Sequence, residues 1–274
     1  MEMAIMDKQT QEPTQVNEVF KYTPAVLSEG FDIGRVDPTK YKFISTKEIV
    51  EALEENGFKP TRAVQANTRM AHRRSFVKHL LAFEMPEVAG LNIPEGMKPQ
   101  VMLLNSHDGT TSYQLFLGLF NDLTATSMVV GTNTFDVQRV MHKGNKSLDE
   151  IIYKSKVCID GFQEVLATVV KAQDIILTAE QQKEFAEQAI FARYEELKVS
   201  AEEVLKPLHE GDTGQDLWSV FNRVRTWVID PAYVRTGFSL RPVNVKGRKI
   251  TAIRNISKNV TINRMIWDLM YLYM

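Results

Sequence analysis

The stretch Val101–Phe120 constrains the fold of this chain most, because two apolar runs flank the pair Asp108-Gly109. Asp-Gly between alternating apolar residues is a strong signal for a β-hairpin closed by a two-residue turn. Such a turn predicts a register in which Leu104 faces Tyr113 and Met102 faces Leu115. We therefore predict an antiparallel sheet with this hairpin at its centre and a polar turn formed by His107, Asp108 and Gly109.

The turn also carries the residue types of a catalytic triad, in the order Ser106-His107-Asp108. A nucleophile, a base and an orienting acid must converge from different directions, which three successive residues cannot do. The segment is therefore interpreted as structural, and no catalytic residue is assigned to the chain.

Five segments carry a resemblance to a known family: GFKPTRAVQANTR (57–69), FVKHLLAFEMPE (76–87), LLNSHDGTTSYQLFLGLF (103–120), DLWSVFNRV (216–224) and ITAIRNISKNVTINRMIWDLM (250–270). In this order they resemble the phage/plasmid-like protein family, known as domain of unknown function 932. The similarity extends from about Phe20 to the C-terminus, and NSHDG followed by Tyr-Gln-Leu is its most specific motif. The resemblance implies a genomic setting but names no activity. Ala82 and Asn121 stand where family members often carry Arg, and RTWVIDPAYVRTG (225–237) replaces a shorter segment.

Capping patterns and hydrophobic periods predict the remaining elements. Ser45 followed by Glu48 opens a helix that stops at Asn56-Gly57, and two extended segments, Phe58–Asn67 and Ser75–Phe83, come next. Apolar residues that recur at helical spacing predict a long amphipathic helix over about 147–174. Thr178 followed by Gln181 is a capping pattern that predicts the start of another helix. Asp216 caps a helix whose apolar face leaves Arg225 on another side, and a terminal helix carries a core stripe of Ile262, Met265, Ile266, Leu269 and Tyr273.

These elements predict an α+β fold: an antiparallel sheet packed by long helices. The order helix, strand, basic turn, strand, hairpin, long helix is similar to the β-β-β-α core of single-strand annealing proteins, an analogy of fold alone. We divide the chain into a flexible tail (1–19), a sheet-rich core (20–146), an acidic helical segment (147–210) and a basic C-terminal helix-hairpin-helix module (211–274) that packs on the core.

The distribution of charge predicts a nucleic-acid-binding face. Residues 56–83 contain six basic residues and no acid, and residues 217–274 contain ten basic residues against Asp230 and Asp268. Basic residues interleaved with aromatic rings can hold phosphates while a ring stacks on a base. Solvated loops and core aromatics would give the same pattern. The predicted DNA contacts are Arg62, Arg69, Arg73, Arg74, Lys78 and the basic hairpin tip Lys246, Arg248 and Lys249.

The favoured function is a phage- or plasmid-encoded protein that binds single-stranded DNA, and annealing of strands is its possible activity. One alternative is a mobile-element antagonist that binds a host defence protein through an acidic helical face, and a second is a cryptic metal-dependent nuclease. The acidic face comprises Glu184, Glu187, Glu195, Glu196, Glu202 and Glu203. The chain has no Walker loop, dinucleotide fingerprint or zinc-protease motif, so an enzyme is the less favoured class and no cofactor or metal is predicted.

Cysteine content and hydropathy bound the setting. Cys158 is the single cysteine, which excludes an intramolecular disulfide and fits the reducing cytoplasm of a host cell. No apolar run is long enough to span a membrane. Both faces of the predicted sheet look partly buried. One face is available to the helix over 147–174, and the other to the C-terminal helices or to a second copy of the chain, so we expect a homo-oligomer.

Overall fold

A computed structural model describes residues 16–86, 93, 97–121, 126–130, 138–140, 148–194, 199–207, 212–231 and 251–274. The helices are α1 (Val16–Phe20), α2 (Thr46–Glu55), α3 (Leu148–Asp174), α4 (Ala179–Tyr194), α5 (Ala201–Val204), α6 (Leu217–Ile229) and α7 (Ile256–Met270), with a short 3-10 turn at Ala71–Arg73. The strands are β1 (Lys59–Gln65), β2 (His79–Glu84), β3 (Met97–Asn105), β4 (Tyr113–Asn121), β5 (Thr126–Val130) and β6 (Gln138–Val140).

The strands form one antiparallel sheet in the order β1-β2-β3-β4-β5, and β6 pairs with β4 beside β5. From β1 to β5, strands that are neighbours in sequence are neighbours in the sheet, as short connections favour. The two extended segments predicted before the hairpin are β1 and β2, and α3 follows the sheet as the predicted long helix. The predicted α+β class with an antiparallel sheet and long helices is confirmed in this coarse form.

The predicted register of the central hairpin is wrong by one residue. Leu104 faces Gln114 and Met102 faces Phe116, so Tyr113 lies on the opposite face from Leu104. The connection is longer than two residues because side chains in it replace ladder bonds: Ser106 Oγ accepts from the Thr111 N–H at 3.1 Å, and Asp108 Oδ1 accepts from the Thr110 N–H at 3.1 Å. A shift of one residue moves every side chain of a strand to the other face.

Both faces of the sheet are covered, as expected. The larger core packs Leu103, Leu115 and Leu117 against helices that include α3. On the opposite face Met102, Leu104 and Phe116 pack against Ile256 and Val260 of α7. The C-terminal helix of the same chain therefore provides the second cover. This face no longer supplies an argument for self-association.

Caps fix the helix starts where the sequence predicted them. Ser45 Oγ accepts from the Glu48 N–H at 3.3 Å, and Asp216 Oδ1 accepts from the Ser219 N–H at 2.9 Å. At α4, Thr178 and Gln181 exchange two hydrogen bonds, the reciprocal pattern of a capping box. Each bond satisfies a backbone N–H that has no partner within its own helix.

Two predicted helix faces need correction. Arg225 was expected away from the core, yet it is 2% exposed, because α6 is buried on every side between α3, α4 and α7. Met265 was expected in the core stripe of α7 and is 42% exposed, while Trp267 and Met270 are buried instead. The actual stripe of α7 is therefore turned relative to the predicted one.

Some predictions lie partly or wholly outside the described residues. The predicted tail over 1–19 is described only from Val16, where α1 begins, and Phe20 at the end of α1 is buried. The predicted second hairpin and its tip at Lys246, Arg248 and Lys249 fall within 232–250, which the structure does not describe. Within the described ranges, no helix combines the length and apolar character that a membrane span requires.

Candidate nucleic-acid interface

The NSHDG segment forms a buried polar cluster around the hydroxyl of Thr46. Thr46 Oγ1 lies 2.9 Å from His79 Nε2, 3.2 Å from His107 Nε2 and 3.0 Å from Asn105 Nδ2. All four side chains are fully buried, so each hydrogen bond replaces one to water. The cluster joins the first turn of α2, the start of β2 and the end of β3 at one point.

The hydrogen-bond partners assign the tautomers of the two histidine rings when both rings are neutral. His79 Nδ1 lies 3.0 Å from the Val77 carbonyl oxygen, which only accepts, so Nδ1 carries the proton of a neutral ring and Nε2 accepts from the Thr46 hydroxyl. Thr46 Oγ1 then has two lone pairs, which accept from Asn105 Nδ2 and from the Nε2–H of His107. The Thr46 hydroxyl therefore makes one donated and two accepted hydrogen bonds, which is its full capacity. No other combination of tautomers satisfies these contacts when both rings are neutral.

Backbone bonds tie two surface segments to His107. Its N–H donates to the Phe76 carbonyl oxygen, and its own carbonyl oxygen accepts from the Asp32 N–H, both at 2.9 Å. Ion pairs reinforce this contact: Arg35 lies 3.4 Å from Asp108, and Arg73 lies 3.4 Å from Asp32. The charge of Arg73, predicted as a DNA contact, is thus balanced by a carboxylate of the same chain.

The cluster has the burial of a structural element. His79, Ser106 and His107 are each 0% exposed, so no substrate reaches their polar atoms in this conformation. Among the residues with described placement, no three His, Cys, Asp or Glu side chains come together as a metal site. This burial is consistent with the structural role expected for the turn. The sequence had predicted an exposed polar tip of two residues, whereas the connection is longer and its first residues, Ser106 to Asp108, are buried.

A cleft of about 500 Å³ opens on the opposite side of the sheet, between β1–β2, the end of α6 and the start of α7. Its floor is apolar and includes Val64, Leu80, Ala82 and Met102. Three guanidinium side chains and one carboxylate line it, together with the amides Asn67 and Asn259; the charged residues are Arg62, Arg225, Arg254 and Asp230. The cleft therefore combines net positive charge with an apolar floor.

Arg225 is the innermost of these cations. It is buried, and its Nε donates to Asn263 Oδ1 at 2.7 Å. Burial, followed by the nearby positive charge of Arg62, lowers the pKa of Arg225 to about 9, which still leaves the guanidinium charged at neutral pH. Two like charges held close together in a partly desolvated cleft favour an anion beside them.

The other predicted contacts are dispersed along the edge of the sheet. Arg69 and Arg74 are exposed on the segment between β1 and β2, whose first residues reach the cleft at Asn67. Lys78 donates to Ser257 Oγ at 2.6 Å and so holds β2 to the first turn of α7. Among the predicted contacts that fall in the described ranges, only Arg62 lines the cleft.

Sequence analysis missed Arg225 and Arg254. On α6, Arg223 and Arg225 look equivalent in sequence, yet Arg223 is bound by Asp212, with a guanidinium nitrogen 3.0 Å from Oδ1, whereas Arg225 lines the cleft. For Arg225 the sequence did contain one signal, which is a cation inside a helix that is apolar on nearly all sides. A buried charge of this kind needs a carboxylate or another anion beside it, so it could have indicated a binding site.

Comparisons with known proteins give a family. Two proteins of Escherichia coli (strain K12) are similar along most of their length: UPF0380 protein YfjQ, 30% identical, and UPF0380 protein YafZ, 31% identical, each over 93% of this chain and 89% of the relative. No solved structure matches the chain. The model of the domain of unknown function DUF932 matches residues 35–267, which include both the histidine cluster and the basic cleft. The chain therefore belongs to the DUF932 family.

Proposed function

We propose that this protein binds single-stranded DNA and that the cleft between β1–β2 and α6–α7 is the binding site. The observation that supports the proposal is the convergence of Arg62, Arg225 and Arg254 on a cleft with an apolar floor. The exposed guanidinium groups of Arg62 and Arg254 can contact phosphates, and the buried Arg225 adds positive charge beneath them. The edges or faces of unpaired bases can pack on the apolar side chains. A single strand offers both groups together, whereas a duplex buries its bases in the stack.

The proposal extends to strand annealing. This part of the proposal rests on an analogy of element order: antiparallel strands come between a helix and a long helix, in the order α2, β1 to β6 and α3. Annealing proteins have a shorter β-β-β-α core and hold one strand extended in a basic groove. Annealing needs no catalytic step, because base pairing supplies the free energy. In this proposal the protein is a phage or plasmid product, acts in the host cytoplasm and assembles along the strand as a homo-oligomer.

The test is fluorescence anisotropy of a labelled oligo-dT over a series of NaCl concentrations. We expect affinity to fall with salt, and Arg62→Gln and Arg254→Gln each to weaken binding and to reduce the slope of log K against log salt by about 0.7. Lys171→Gln is the matched control, because Lys171 is exposed in the last turn of α3 and does not line the cleft.

Equal loss of affinity in the control and the cleft variants would overturn the site, and absence of salt-dependent binding would overturn the function. Adding Mg²⁺ or Mn²⁺ to the same reactions distinguishes the nuclease alternative, which predicts shortened oligonucleotides on a gel. A strand-exchange readout with complementary labelled oligonucleotides tests annealing separately. Acceleration over the protein-free rate supports it, and an unchanged rate limits the function to binding.

A further inference from the structure

A second surface of the molecule differs from the cleft in both shape and charge. An open groove of about 640 Å³ runs between α4 and the end of α7. Its α7 side presents Met265, Asp268 and Leu269 on one helix face, followed by Leu272 in the turn after α7. Its α4 side presents Phe191 one turn after Glu187. Two neighbouring helices with a groove between them offer a seat for a third helix.

The groove exposes large apolar side chains. Phe191 is 57% exposed, Leu272 is 70% exposed and Met265 is 42% exposed. Contiguous exposed apolar surface of this kind is uncommon on a soluble protein except where another molecule binds. The exposure is local, since Ala189 and Ile190 on the same helix are completely buried.

The charge beside the groove is mainly negative. Glu187 and Asp268 line it, and Glu184 lies one helical turn before Glu187. Arg264 is the nearby cation on α7, and it lines a neighbouring cavity that shares Met265 and Asp268 with the groove. Burial raises the pKa of Asp268, and Arg264 opposes that shift. A cation delivered by a ligand would favour the ionised carboxylate further.

We propose that this groove docks an amphipathic helix of a partner protein, with an apolar stripe seated between Phe191 and Leu272 and Lys or Arg side chains beside Glu187 and Asp268. The negative charge of Glu187 and Asp268 disfavours nucleic acid as the ligand of this surface. A second copy of the chain is disfavoured as the occupant, because a two-fold contact would set the acids of one groove against the same acids of the other.

The test uses a labelled synthetic helix with leucines at positions i, i+3, i+4 and i+7 and lysines on both sides of that stripe. We expect saturable binding to the full chain, about tenfold weaker binding for Phe191→Ser and for Leu272→Ser, and weak binding of a peptide with glutamates in place of the lysines. Tyr153→Ser is the matched control, because Tyr153 is 67% exposed on α3 and lies outside the groove.

Binding that is absent, or that Phe191→Ser and Tyr153→Ser affect equally, would overturn the proposal. Light scattering of the same variants addresses self-association. A species heavier than the 31.3 kDa chain that Leu272→Ser dissociates would assign the groove to a second copy instead. DNA binding by the groove variants is expected to remain unchanged, so this inference and the DNA-binding proposal fail independently.

Discussion

The imidazole rings of His79 and His107 lie 5.1 Å apart, centroid to centroid, and the Nε2 atoms of both meet the hydroxyl of Thr46. One hydroxyl thus donates to one ring and accepts from the other. The pair connects β2 to the turn after β3, and Thr46 connects both to α2. Through the backbone bonds of His107, the same cluster holds the segments that carry Asp32 and Phe76.

Removal of this hydroxyl is expected to destabilise the fold strongly. Thr46→Val keeps the shape of the side chain but takes one hydrogen bond from His79, His107 and Asn105. Each buried polar group that loses a bond costs about 1–3 kcal/mol, so we expect the free energy of unfolding to fall by about 3 kcal/mol or more. Urea denaturation measures it. Thr46→Ser keeps the hydroxyl and is expected to lose much less, and equal losses would contradict the shared-hydroxyl assignment.

Substitutions at Asp108 and Gly109, in the turn after β3, are expected to differ in how much they destabilise the fold. Gly109 has φ of +73°, and a Cβ there would lie 2.5 Å from Val36 Cγ1, so Gly109→Ala is expected to cost about 1–3 kcal/mol. Asp108→Asn retains an oxygen for the bonds from Thr110 and loses the charge that faces Arg35, so about 1 kcal/mol or less is expected. Thermal unfolding compares them, and a reversed order would reject the turn geometry.

The elements were predictable because their signals are local. Ser45, Asp216 and the pair Thr178 and Gln181 cap their helices within three residues, and the periodicity over 147–174 extends through all of α3. The hairpin register was not predictable in this way. Bonds from Ser106 and Asp108 to the backbone compete with the ladder, and the buried position of His107 depends on Thr46, which is far away in sequence.

The candidate site was predictable only as an excess of charge. The sequence pointed to Arg62 and Arg73 equally, but the fold turns Arg62 into the cleft and pairs Arg73 with Asp32. Arg254, remote in sequence, reaches the same cleft because α7 begins beside the face of β1 and β2. Which cations converge is decided by tertiary packing. Apart from the position of Arg225 inside an apolar helix, the sequence carries no signal for it.

The two buried arginines of α6 are expected to respond differently to replacement by methionine. Arg223→Met leaves the Asp212 carboxylate without its guanidinium partner and is expected to cost about 3 kcal/mol or more. Burial of Arg225 makes its positive charge unfavourable in the folded state, as its lowered pKa indicates. Arg225→Met is therefore expected to reduce the free energy of unfolding by less than Arg223→Met does. It is also expected to weaken DNA binding, because the cleft loses a positive charge. Urea denaturation and anisotropy measure both variants. If Arg225→Met destabilises the protein as much as Arg223→Met does, Arg225 has a structural role and the prediction is wrong.

Cys158 is expected to make the fold sensitive to alkaline pH. Its thiol is buried, and desolvation raises its pKa to about 12. An unfolded thiol ionises near pH 8.5, so above that pH the unfolded chain binds fewer protons than the folded chain, and the free energy of unfolding falls as pH rises toward 12. The thiol should also react with a thiol reagent only as fast as the protein unfolds.

The test is urea denaturation of the unmodified protein and of Cys158→Ala between about pH 8 and 10.5. The comparison separates the contribution of the Cys158 thiol to the pH dependence from that of Tyr113, because burial also raises the pKa of the Tyr113 hydroxyl. We expect Cys158→Ala to flatten the decline in stability without abolishing it. Parallel pH profiles for the two proteins, or rapid labelling of Cys158 in the native state at neutral pH, would show that the thiol is accessible and would contradict its place in the core between α3 and the sheet.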